Sequence, residues 1–206
     1  MPQEVPDTAP PADLDPNVIR LPFLVDDYFV PNGCFGDGNC DGGVLDINSR
    51  GCLDPPAMIQ GVCRRYTYKP LRPGAPDYKG YLGILFQDVG PGGESGLGKV
   101  PGLPVQAGAQ RVVFWAWVGA GELEVAFRAG GDNNWEGATD PSLPYKDSFG
   151  VPGDVTLTKD YQQITIDLSG ATYDDVVSPF GWAIVTKDLV DPPAVIELYI
   201  ADVRWE

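Results

Sequence analysis

Residues 111–127, RVVFWAWVGAGELEVAF, carry the most regular hydrophobic alternation in this 206-residue chain. Val112, Phe114, Ala116 and Val118 alternate with Arg111, Val113, Trp115 and Trp117, and a period of two sends the two sets to opposite faces of a sheet. Gly119, Ala120 and Gly121 interrupt the pattern before a second alternating run, so the stretch reads as a hairpin of two strands. One face of the first strand is aliphatic with a single Phe, as a sandwich core requires. The other carries two indoles and a guanidinium, and fits equally a second buried face or a platform for a ligand.

The rest of the chain repeats this signal in shorter pieces. Residues 23–30, FLVDDYFV, read as a strand that pairs near the C-terminus, followed by a loop, PNGCFGDGNCDGG, too rich in Gly to be regular. Short apolar or alternating runs at 44–47, 62–69 and 81–89 predict further strands, the second stopped by Pro70. From there to Gln110 the sequence is mostly Gly and Pro and reads as a long loop. After the hairpin, AGGDNNWEGATDPSLPYKDSFG interleaves turn formers with Trp135 and Tyr145 and reads as a binding loop. Residues 154–158 and 161–168 predict two strands around a tight Lys159–Asp160 turn, residues 173–177 a helix-like turn, and residues 180–186 and 195–205 the closing strands. Trp182 alternates with Phe180 and Ile184 and reads as core. About ten strands without crossover helices predict an all-β fold, a two-sheet antiparallel β-sandwich of the jelly-roll type.

Composition sharpens this. With 26 Gly and 21 Pro the chain is turn-rich, and its length suits a single β domain over residues 23–206 behind a disordered, Pro- and Asp-rich linker at residues 1–22. A formal charge of −15 argues against a nucleic-acid partner, whose phosphates call for clustered cations. No run is long and apolar enough for membrane insertion. The absence of histidine removes the commonest general base and the Ser-His-Asp arrangement, which disfavours an enzyme.

The four cysteines form two local pairs in sequence, Cys34 with Cys40 and Cys52 with Cys63. Four cysteines allow three connectivities, and short loop closure favours the local one, with free thiols as the alternative. An even count in a loop-rich acidic chain points to an oxidising compartment, and the N-terminal residues lack a signal-peptide core, so the chain reads as the mature part of a secreted or cell-surface protein. Asp37, Asn39 and Asp41 occupy alternate positions as in the first half of an EF-hand loop. The twelfth position is Asn48 rather than Glu and no helices flank the loop, so only a looser calcium site, or solvated turn carboxylates, is expected.

The run LTKDYQQITIDLSG, the closing strand IELYIADVRWE and the strand FWAWV resemble segments of jelly-roll carbohydrate-binding modules of the galactose-binding-domain-like superfamily. The region from GDNNWEG to PYKDSFG is similar in placement to their ligand loops, and the resemblance covers roughly residues 23–206. It departs at Trp117, where an Arg would follow the Ala. What it implies is a noncatalytic module that holds an enzyme or a cell surface onto a polysaccharide or glycan. It also implies structural calcium between an acidic residue of the first strand and an Asp of the last, positions matched by Asp27 and Asp202. The residues support a sugar site in their own right, because sugars offer apolar ring faces and hydroxyl edges to flat aromatics beside planar polar groups. The expected ligand set is Arg111, Trp115, Trp117 and Arg128 on one sheet face, with Asp132, Asn133, Trp135 and Tyr145 on the following loop. The alternative is a structural or adhesion sandwich of a cell-surface assembly, whose aromatics pack against a protein partner.

Overall fold

The computed structural model describes residues 15–40, 43–48, 51–52, 57–89, 98–131, 142–187, 189 and 193–206. Among these residues thirteen strands, β1 to β13 in chain order, make up nearly half. The front sheet runs β10 (Gln162–Asp167), β7 (Arg111–Val118), β13 (Ile196–Trp205), β4 (Cys63–Tyr68), β3 (Leu45–Asn48), and β1 (Phe23–Leu24) also pairs with β13. The back sheet runs β2 (Val30–Gly36), β5 (Tyr81–Gln87), β12 (Phe180–Val185), β8 (Leu123–Gly130), β9 (Gly150–Leu157). A small ribbon pairs β6 (Leu103–Pro104) with β11 (Asp175–Val176). The two sheets are antiparallel and pack as a jelly-roll β-sandwich.

The hairpin expected over residues 111–127 does not form. β7 lies in the front sheet and β8 in the back sheet, so the Gly119–Gly121 turn carries the chain from one layer to the other. The reason lies in the inward-facing sets. Val112, Phe114, Ala116 and Val118 of β7 and Leu123, Val125 and Phe127 of β8 are all buried, and placing them in opposite sheets lets both sets fill one core, with the Phe114 and Phe127 rings 4.7 Å apart. Alternation reports that one side of a strand is buried and says nothing of which sheet holds it. The same correction applies to β9 and β10, which flank the Lys159–Asp160 turn but belong to different sheets, while β8 and β9 form the actual hairpin.

Other differences are local. Phe23 does pair with Trp205, yet β1 stops after Leu24 and the chain turns through a 3-10 segment at Val25–Asp27. Part of the Gly-rich loop that follows is β2, which tolerates Pro31 because it is an edge strand. Within it Gly33 leaves room for Gln87, whose Oε1 would lie 2.5 Å from an added Cβ. Residues 173–177 hold the short strand β11 rather than a helical turn, paired with β6 inside the long Gly/Pro segment. Residues 15–22, assigned by composition to the linker, pack on the domain. Ile19 is buried, donates its N–H to the Pro104 carbonyl and bridges Val105, because an isolated apolar side chain gains more from the sandwich end than from solvent.

Trp182, Trp205, Tyr66, Tyr68, Phe86 and Phe180 dominate the core, with Trp182 where its alternation put it. Trp205 stacks on Phe23 and donates its indole N–H to the Pro179 carbonyl. Both cystines adopt the sequence-local pairing, Cys34–Cys40 and Cys52–Cys63.

Candidate functional site

On β7 the side chains that turn away from the core are Val113, Trp115 and Trp117, and the register of the front sheet decides what stands beside them. Trp117 lies opposite Tyr199 of β13, Tyr199 opposite Arg65 of β4, and Arg65 opposite Asn48 of β3. On the other flank Gln162 pairs with Ala116, which places Tyr161, one residue before β10, next to Trp117. One row thus crosses the outer face as Tyr161, Trp117, Tyr199 and Arg65, spanning about 14 Å at the usual strand spacing. The Trp117 and Tyr199 rings are stacked at 5.0 Å with 3° between their planes, and Tyr161 meets Trp117 edge-on at 4.6 Å.

This packing answers the question that the alternation leaves open for the two indoles. Trp117 points away from the sandwich core yet is only 7% exposed, because Tyr161 and Tyr199 flank it. Tyr161, at 48%, is the open end of the row. Arg65 closes the other end. Its Nε is buried with no hydrogen-bond partner, and its Nη1 lies 3.8 Å from a Glu197 carboxylate oxygen. The Arg65 side chain is about a third exposed, so solvent reaches parts of it other than the buried Nε.

The next row along the strands is Gln163, Trp115, Ala201 and Cys63. Here Cys52 and Ile59, both from between β3 and β4, lie against the sheet. Ile59 and the Cys52–Cys63 bridge form a second apolar cluster with Trp115, Trp117, Tyr199 and Ala201. Gly51 donates its N–H to the Cys63 carbonyl, and a Cβ there would lie 2.2 Å from that of Arg65, so only glycine allows the loop this close. The covered second row gives the first one a wall on that side. At the base of the wall Asp202 interrupts β13 with φ 54°, donating its N–H to the Val62 carbonyl and accepting from Arg204.

The expected ligand residues are only partly brought together. Trp115 and Trp117 share this face. Arg111 lies on the same strand six residues from Trp117, about 20 Å away, and is ion-paired with Glu206. Arg128 is on β8, in the back sheet, and cannot join them, because the chain changes layer at Gly119–Gly121. Tyr145 is exposed on the segment leading into β9 and donates its N–H to the Gly98 carbonyl. Asp132, Asn133 and Trp135 lie outside the described residues. Tyr161, Tyr199 and Arg65 were not expected at the site. Their strand parity is legible in DYQQITID, IELYIAD and CRRYTY, but the register that aligns them is set by pairings distant in sequence.

Of the metal candidates, Asp37 and Asp202 hold other partners. Asp37 is buried, and its two oxygens accept from the Tyr68 hydroxyl and the backbone N–H groups of Leu71, Lys79 and Gly80. Asn39 follows with φ 48° and Asp41 lies outside the described residues. Asp27 is exposed, its neighbour Asp26 rather than Asp27 pairs with Arg64, and Asp202 holds Arg204. Among the described residues no three Asp, Glu, Cys or His side chains gather as a metal site.

No family model matches the sequence, and no curated protein matches it. Solved structures similar to the chain are carbohydrate-binding modules. A family 30 carbohydrate-binding module is 12% identical with a TM-score of 0.42, over 86% of this chain and 82% of its own. A family 11 module from Clostridium thermocellum, in complex with a beta-1,3-1,4-mixed-linked tetrasaccharide, is 9% identical with a TM-score of 0.45, over 86% of this chain and 94% of its own. The family 11 module of the cellulosomal cellulase Lic26A-Cel5E of the same organism is 9% identical with a TM-score of 0.44, over 89% of this chain and 91% of its own.

Proposed function

We propose that this domain binds a neutral polysaccharide without chemistry, along the row formed by Tyr161, Trp117, Tyr199 and Arg65. The observation that carries the reading is the register itself, which sets three aromatic rings and a partly exposed guanidinium in one line on the outer face of the front sheet. Pyranose rings have C–H faces that pack on aromatics, and their hydroxyls take hydrogen bonds from Arg. The chain would lie across the strands, with its faces on Tyr161 and Tyr199 and a hydroxyl edge at Arg65. Two formed cystines fit an oxidising compartment, so we place the protein outside the cell or at its surface.

The test is native gel electrophoresis with soluble β-glucan, xylan, mannan and galactan cast into separate gels. At least one should retard the wild type, and Arg65→Met and Tyr199→Ala should abolish that retardation. Migration unaffected by every polysaccharide would remove the reading.

A second reading, docking of a protein partner in a surface assembly, rests on the outer face of the back sheet. There Tyr81 and Val185 stand opposite each other and exposed, and Phe35 covers Gly83 beside Tyr81. Tyr81→Asp would abolish capture of such a partner and leave polysaccharide retardation intact.

A further inference from the structure

Just past the aromatic row, where β7 and β13 reach the end of the sandwich, the surface opens into a cavity of about 360 Å³. Ala120 and Glu122 from the turn after β7, with Leu123 at the start of β8, line one side, and Leu189 and Val195 from the approach to β13, with Glu197 of β13 itself, line the other. Glu197 belongs to both features. It lies two residues before Tyr199 on β13, about 7 Å along the strand, and its carboxylate faces Arg65 at the end of the row. Its backbone carbonyl accepts the Gly119 N–H, and a Cβ at position 119 would come within 2.7 Å of its Oε2, so glycine there leaves the carboxylate its place.

The geometry points to a subsite for a single neutral sugar carried as a branch on the polysaccharide backbone. This rests on the platform reading above. A backbone lying along the row runs across the strands, so a substituent on it projects along the strands, and the cavity lies in that direction. Its volume is at the small end of ligand sites, enough for one pyranose or furanose ring rather than a second chain. Leu123, Leu189 and Val195 offer apolar wall to the C–H face of such a ring, and Val195 is well exposed without it. Glu122 and Glu197 are acceptors for its hydroxyls. The same two carboxylates, in a chain of net charge −15, repel a uronic-acid branch. The site therefore selects neutral branches over acidic ones.

Isothermal titration of the full chain against paired ligands tests this: linear β-1,4-glucan oligosaccharides with xyloglucan, linear mannan oligosaccharides with galactomannan, and linear xylan oligosaccharides with arabinoxylan and glucuronoxylan. On the backbone that binds, the neutral branched form should bind at least fivefold more tightly than the bare one, and glucuronoxylan should show no such gain. Ala120→Trp, which fills the cavity from an exposed position, should bring the ratio of branched to bare affinity to about one with an unchanged melting temperature. Glu197→Gln should lower the ratio and relax the discrimination against glucuronoxylan. Equal affinity for bare and branched forms in the wild type, or a preference that survives Ala120→Trp, overturns the subsite while leaving the platform standing. A wild type that binds none of these ligands overturns the subsite, and one that galactan also fails to retard overturns the platform with it.

Discussion

Three side chains define what individual residues do here. Tyr161 contributes an exposed ring to the row and little to the fold, so Tyr161→Ala should weaken polysaccharide binding about tenfold, roughly 1.4 kcal/mol, with a melting temperature within a degree or two of wild type. Trp117 behaves differently. Nearly enclosed between two tyrosines, it stabilises the sheet as well as shaping the site, and Trp117→Ala should cost about 3–5 kcal/mol in urea denaturation in addition to any loss of binding. Asp37 is structural. Its carboxylate gathers four donors from three separate segments, and Asp37→Asn, which supplies donors where acceptors are needed, should cost about 3 kcal/mol with polysaccharide affinity retained in the folded fraction. Sequence spacing suggested a metal ligand at that position because a buried hydrogen-bond hub and a calcium loop draw on the same Asp- and Gly-rich composition.

Among the elements, the Cys52–Cys63 bridge matters most, because with Ile59 it packs over the second row of the front face. Replacing both cysteines with serine should lower stability by about 2–4 kcal/mol and loosen the wall beside the aromatic row, with a loss of affinity that reduction of the wild type reproduces. The local cysteine pairing, the inward set of β7, the core position of Trp182 and the β1–β13 closure were all legible in the sequence, since each depends on spacing or alternation within a short stretch. The layer change at Gly119–Gly121 was not. A strand's alternation is the same in either sheet, and only the mutual packing of Phe114, Phe127 and Phe180 across the core distinguishes them. The same ambiguity put Arg128 at the site and left Tyr199 and Arg65 out, because they reach Trp117 only through the pairings of β13 with β7 and β4.

At the scale of the whole molecule, the acidic surface and the front-face row make a joint prediction about ionic strength. A neutral ligand held by ring stacking and hydrogen bonds releases no counterions, so its affinity should change less than twofold between low and high salt. An anionic polysaccharide should bind weakly at low salt and gain as salt screens the repulsion. The sandwich also presents two outer faces of different character, and the proposed carbohydrate site is on the front one. The most direct measurement of that assignment is titration of whichever polysaccharide retards the wild type against two single-ring deletions, Tyr161→Ala on the front face and Tyr81→Ala on the back. With the ligand on the front face, Tyr161→Ala loses about tenfold in affinity and Tyr81→Ala keeps wild-type affinity, both variants melting as the wild type does. Full affinity in Tyr161→Ala together with a loss in Tyr81→Ala would contradict it and place the ligand on the opposite sheet.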